Sequence, residues 1–236
     1  MQDSQAKVAI VTGASRGLGA AIVTAFRGRD YRVVATSRSI GPSDDPDLRT
    51  VAGDIGDPAT SEAVVGEAIA RFGWVDTLVN NAGIFIPGPF ARYTPEQHRQ
   101  MVSTNLDGFF HMTQRAVSVM EARGGHIVQV TTTLAERSDA RRPSVLAALT
   151  KGGLNAATRS LAIEYAKQGI RVNAVSPGLI KTPMQPVEKH EMMAGFHPMG
   201  RMGEIEDIVR GVLYLEDAGF VTGEILHVDG GQSAGC

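Results

Sequence analysis

"KVAIVTGASRGLGAAIVTAFRGRDYRVVATS", residues 7–37, decides how the chain folds. Lys7 to Thr12 form a nearly continuous apolar run rich in β-branched side chains, which suits a strand buried on both faces of a parallel sheet. Gly13, Gly17 and Gly19 follow at once. Then "LGAAIVTAFRGRD" carries apolar residues at helical spacing, and "YRVVATS" returns to strand character. Glycine lets backbone approach a pyrophosphate, and a helix N-terminus presents unpaired N–H groups to its negative charge. Glycine spacing alone is a weak signal, but inside a strand, turn, helix and strand unit it indicates a dinucleotide site.

The alternation continues outward from this unit. Residues 60–73 read as helix, "VDTLVNNAG" (75–83) as strand, and 94–124 as one long helix opened by Thr94, Pro95 and Gln97. "GHIVQVTTT" (125–133) reads as strand, 144–165 as helix, "GIRVNAVSPG" (169–178) as strand, and "GEILHVDGG" (223–231) closes the sheet. Strands and helices in alternation favour a parallel sheet with helices on both faces, here one α/β domain over 1–236. Residues 184–202 differ, carrying five of the nine methionines, and read as loop or short helices.

Composition narrows the function. Of 236 residues, 43% are hydrophobic and 20% charged, with a net charge of -2, so no basic field exists for nucleic acid or an anionic membrane. No apolar run reaches the roughly 18 residues of a membrane span, and the N-terminal residues lack a secretory pattern. The only cysteine, Cys236, allows no intrachain disulfide. The expectation is a cytoplasmic protein acting on a small molecule. Six dispersed histidines give no metal-ligand spacing, so no metal is expected.

"TGASRGLG" (12–19), "NNAG" (80–83), "NLDG" (105–108), Lys151 with the helix after it, "VSPGLIKT" (175–182) and "VTGEILHVDGG" (221–231) together resemble the short-chain dehydrogenase/reductase family. The resemblance runs from about Lys7 to Gly231. It implies a Rossmann-like, doubly wound sheet of seven parallel strands, a nicotinamide dinucleotide, and a homo-oligomer, a tetramer or dimer. By the same resemblance Gly13, Ser15, Arg16, Gly17, Leu18 and Gly19 surround the pyrophosphate, and Asp54 with Ile55 holds the adenine. Asn81, Ala82 and Gly83 line the ribose, while Pro177, Gly178, Ile180 and Thr182 pass over the nicotinamide, followed by a substrate-covering loop at about 179–203. The second strand ends in "ATSRS", where an acidic residue would bind a ribose 2'-hydroxyl. Ser37 brings no charge, and Arg38 and Arg16 offer two guanidinium groups to a 2'-phosphate, favouring NADP(H) over NAD(H).

The family's chemistry rests on a tyrosine, a lysine one turn later, a serine and an asparagine. Lys151 and Asn105 match, and the serine position falls on Thr131 or Thr132, with Thr132 keeping a hydroxyl for a carbonyl. The tyrosine position, four residues before Lys151, is Ala147. No tyrosine lies between Tyr93 and Tyr165, and the enoyl-reductase spacing falls on Ser144. Hydride transfer to a small, largely apolar carbonyl, imine or activated alkene then needs another proton donor. Water through Lys151 and Asn105 is one; Glu136, Asp139 or Ser144 is another. The alternative is a non-catalytic NADP(H)-binding sensor or partner subunit. Arg141 and Arg142 precede the catalytic helix, and an anionic substrate, an acidic partner or plain solvation would explain them.

Overall fold

The structure, a computed structural model, describes residues 6–235, so Cys236 and the first five residues lie outside it. In chain order the elements are β1 (Val8–Thr12), α1 (Gly17–Arg27), β2 (Arg32–Ser37), β3 (Leu48–Ala52), α2 (Pro58–Phe72), β4 (Thr77–Asn80), α3 (Pro95–Val102) and α4 (Gly108–Met120). Then come β5 (Gly125–Val130), α5 (Val145–Tyr165), β6 (Ile170–Pro177), α6 (His190–Ala194), α7 (Ile205–Asp217) and β7 (Ile225–Val228). All seven strands pair in parallel, in the order β3-β2-β1-β4-β5-β6-β7. The order reverses between β1 and β4, and such a reversal opens a crevice beyond the C-terminal ends of the strands.

The two faces of β1 explain its unbroken apolar run. Val8 and Ile10 pack with Val64 and Val65 of α2 and Met112 and Met120 of α4. Ala9 and Val11 pack on the other face with Ile22 and Phe26 of α1 and Ile208, Val212 and Leu215 of α7. Successive strand residues point to opposite faces, so helices on both sides leave β1 no solvent-facing position.

The structure departs from the sequence reading in three places. Residues 94–124 are not one helix: Thr94 caps α3 with Gln97 as expected, but a π-helical turn, Ser103–Asp107, separates α3 from α4. A π turn widens the helix by one residue per turn, and the buried Asn105 inside it turns toward Ile84. Its Oδ1 accepts from the Ile84 N–H at 2.9 Å and its Nδ2 donates to the Ile84 carbonyl at 3.1 Å. The edge strand β3 and helix α7 also went unread. β3, "LRTVA", is half-buried from Leu48 to Val51 and exposed at Ala52, and it lacks the apolar run that marks a central strand.

Candidate functional site

A cleft of about 610 Å³ lies along the C-terminal edge of the sheet. One wall is the start of α1. Its cap residue Arg16 is extended, no side chain caps the helix, and its first turn holds no acidic residue, so the first N–H groups stay open. The glycine turn is packed to its limit: a Cβ on Gly19 would collide with the Gly13 carbonyl, and Gly13 itself sits at φ 67° against Ala82. Across the crevice Thr12 Oγ1 accepts from the backbone N–H groups of Asn81 (3.0 Å) and Ala82 (2.9 Å), and Asn81 Nδ2 donates to the Thr12 carbonyl at 2.9 Å. These bonds hold the ends of β1 and β4 together where the sheet reverses.

Ser15, Arg16, Gly17, Leu18, Ser37, Arg38, Asp54 and Ile55 line the cleft, as do Gly83, Lys151, Pro177, Gly178, Ile180 and Thr182, with Thr182 beside Gly17. Asp54 also closes a turn, accepting from the Gly56 N–H at 3.0 Å. Among the described residues the ion pairs run elsewhere, as between Arg27 and Asp45 or Arg29 and Asp217, and neither Arg16 nor Arg38 meets a carboxylate.

At the far end Lys151 Nζ donates to the Val130 carbonyl at 2.7 Å. Burial alone pushes its ammonium down to about 8. Ala147, 2% exposed, faces the same space. The three threonines after β5 separate clearly. Thr131 Oγ1 donates to the Val175 carbonyl and Thr133 Oγ1 to the Pro177 carbonyl, whereas Thr132 only accepts, from the Leu134 N–H at 3.4 Å. Of the three, Thr132 alone keeps an uncommitted hydroxyl proton on the cleft.

Asn105 is not on this surface. Besides Ile84 it donates to Thr150 Oγ1 at 3.2 Å, so it braces the wall from behind. The loop residues weighed as proton donors are also engaged away from the cleft. Asp139 accepts from Arg141 at 2.6 Å, which holds its carboxyl down to about 2; Glu136 meets Asn155 at 3.0 Å and His227 at 2.8 Å; Ser144 donates to the Arg142 carbonyl. Sequence distance hid one phenol. Tyr93, 54 residues before Ala147, joins the apolar cluster of Ala147, Leu146, Met101 and Phe85. Its hydroxyl donates to the Ile86 carbonyl at 2.8 Å, and burial pushes it up, away from acid chemistry at neutral pH.

The model of a family described as "Enoyl-(Acyl carrier protein) reductase" matches residues 13–233. The chain belongs to the short-chain dehydrogenase/reductase family. The 3-oxoacyl-[acyl-carrier-protein] reductase FabG of Escherichia coli (strain K12) is 35% identical, with 97% of this chain and 98% of the relative covered. The acetoacetyl-CoA reductase of Rhizobium meliloti (strain 1021) is 37% identical over 96% of this chain and 98% of its own length. The solved structure "ElxO with NADP Bound" superposes with a TM-score of 0.91 at 28% identity, covering 98% of this chain and 100% of that one.

In this short-chain dehydrogenase/reductase the segment after β6 lines one wall of the cleft. Leu179, Met193 and Met202 are buried against one another, and Leu179 N–H donates to the buried His197 Nε2 at 2.9 Å. Of the five methionines in 184–202, Met184 lines the cleft, Met193 and Met202 anchor the segment, and Met192 and Met199 are exposed. Phe85 and Leu134 are lining residues that no motif announced. Phe85 sits on irregular backbone and Leu134 in a single 3-10 turn, Thr133–Ala135, both too short for a periodicity to reveal which way they point; only Phe85's place two residues after "NNAG" hinted at it.

Proposed function

We propose that this chain is an NADP(H)-dependent oxidoreductase reducing a small, largely apolar carbonyl, imine or activated alkene. The observation that carries the proposal is the open N-terminus of α1 beside Arg16 and Arg38, neither paired with a carboxylate among the described residues. Open N–H groups and a positive dipole end suit a pyrophosphate, and two guanidinium groups suit a 2'-phosphate. The residues present therefore fit the dinucleotide, which when bound would supply hydride chemistry at its nicotinamide. Gly13, Ser15, Gly17, Leu18 and Gly19 would hold its phosphates, and Ser37 its adenine ribose. Asp54 and Ile55 would hold the adenine, and Asn81, Ala82, Gly83, Pro177, Gly178, Ile180 and Thr182 the nicotinamide half.

Thr132 would donate a hydrogen bond from its hydroxyl to the substrate oxygen and so orient the reacting bond. Lys151 would hold the nicotinamide ribose and deliver solvent protons, since an ammonium near 8 exchanges readily at neutral pH. Asn105 would act as a positioning residue through Ile84 and Thr150. Ala147 leaves no phenol at the cleft, so the acid assistance a substrate meets there would come from Thr132 and Lys151. The same alanine favours the second reading, a dinucleotide-binding protein that does not turn over. The exposed apolar side chains of Phe110 on α4 and Leu149 and Ile163 on α5 suit a homo-oligomer, which light scattering tests.

Calorimetry with NADPH and NADH, then NADPH oxidation across ketones, cyclic imines and enones, tests the proposal. Tight NADPH binding with turnover on one class supports it. Tight binding with no turnover selects the non-catalytic reading, and no binding to either coenzyme defeats both.

A further inference from the structure

Arg141 and Arg142, alike in sequence, have different surroundings. Arg141 pairs with Asp139 and lies 4.5 Å from the Phe196 ring centroid, on the covering segment. Arg142 lines the cleft with Ala147, Thr132 and Lys151. Its backbone is fixed on both sides, by its own N–H to the Asp139 carbonyl at 2.9 Å and by Ser144 Oγ to its carbonyl. Its guanidinium carbon lies 4.6 Å from the centroid of Phe85, which packs beside Ala147. Among the described residues no carboxylate reaches it. The neighbouring acid, Asp139, is taken by Arg141.

We propose that Arg142 recognises a carboxylate on the substrate, making the preferred substrate a small oxo acid whose ketone lies beside Thr132 and Lys151. The proposal rests on the oxidoreductase reading above. A guanidinium stacked on an aromatic face spends that face and leaves N–H donors along its edge, the geometry a carboxylate accepts through both oxygens. Partial burial removes water from Arg142 without supplying an anion, and its acidity shifts accordingly, by desolvation alone. A ligand carboxylate would restore what burial removed. Phe85, Leu134 and Met184 add apolar lining to the cleft, so one charged group at one end of a short carbon chain suits it. The reaction would add a hydride from NADPH to the ketone carbon and a solvent proton to its oxygen, giving a hydroxy acid and NADP+, with the carboxylate unchanged.

The test pairs acetoacetate and 2-oxobutanoate with their methyl esters, using full-length protein and NADPH. Three quantities are measured: NADPH affinity by calorimetry, affinity of the NADP+-loaded protein for each acid and ester, and kcat/KM for each. The acids should bind and react at least about tenfold better than the esters. In Arg142→Gln the acid-to-ester ratio should fall about tenfold or more, with Arg142→Lys intermediate. An acid-to-ester ratio near one in the wild type, or an unchanged ratio in Arg142→Gln, overturns the proposal, in binding as in turnover. Absence of NADPH binding instead sinks the oxidoreductase reading, and the acid and ester affinities of the unloaded protein then decide the Arg142 site alone.

Discussion

The two ends of the sheet treat charge in opposite ways. At the N-terminal ends of the strands Glu216 is buried, yet it accepts from Tyr31 Oη (2.8 Å), Thr77 Oγ1 (3.1 Å), Lys7 Nζ (3.3 Å) and His126 Nδ1 (2.8 Å). Burial alone would push the Glu216 carboxyl up, but these donors together hold it at about 2. Burial pushes His126 down; its Nδ1 faces the carboxylate and its Nε2 meets Asn173 Nδ2 at 3.1 Å. Arg171 beside it donates to the carbonyls of Leu215, Glu216 and Val221. At the C-terminal ends, by contrast, an open helix N-terminus, Arg16, Arg38 and Arg142 meet no carboxylate among the described residues, and Lys151 meets a single carbonyl. Satisfied polar groups lock structure, and groups left short of partners are where a ligand adds binding energy.

The sharpest way to break this contrast is at the satisfied end. Glu216→Ala should cost about 3 kcal/mol of stability by leaving buried donors unpaired, while NADPH affinity stays unchanged; chemical denaturation and calorimetry on one preparation check both. The unfolded carboxyl titrates near 4.5 and the folded one near 2, so its contribution is complete above the first value and lost as pH falls toward the second. Glu216→Gln should therefore flatten the acid limb of the stability curve, and an unchanged limb would contradict this role.

Three further changes probe the unsatisfied end. Ala147→Tyr should raise ketone reduction by about 100-fold, the gain typical of a positioned acid, read as the initial rate of NADPH oxidation. No gain would mean that Lys151 and Thr132 do not face a reacting carbonyl. Arg38→Leu should weaken NADPH about tenfold and leave NADH within twofold, since only the 2'-phosphate loses a partner; titration of the two coenzymes decides it. Last and smallest, the rate of reduction should decline as pH rises through about 8, following loss of the Lys151 proton, and Lys151→Met should remove that inflection from the profile.

Much of the cleft was legible because it is made of short-range signals. The glycine turn, "NNAG" and "VSPGLIKT" each combine backbone-constraining residues within a few positions, and every coenzyme residue named from them lines the cleft. The direction of the Asn105 side chain was not legible because a π turn is a backbone event without a residue pattern, and it aims this side chain at Ile84. The separation of Arg141 from Arg142, and of Thr132 from Thr131 and Thr133, depends on partners up to 99 residues away. The Glu216 network was invisible for the same reason: its donors come from Lys7, Tyr31, Thr77 and His126, which no local window contains.

The sequence by itself determined the parallel α/β sheet, the glycine-lined helix end and the alanine one turn before Lys151, because periodicity, backbone freedom and side-chain chemistry are local properties of the chain. Only the tertiary structure decided which charges are neutralised and which stay available. That outcome depends on distances between residues far apart in sequence, and electrostatic energy is set by those distances and by the water that packing removes.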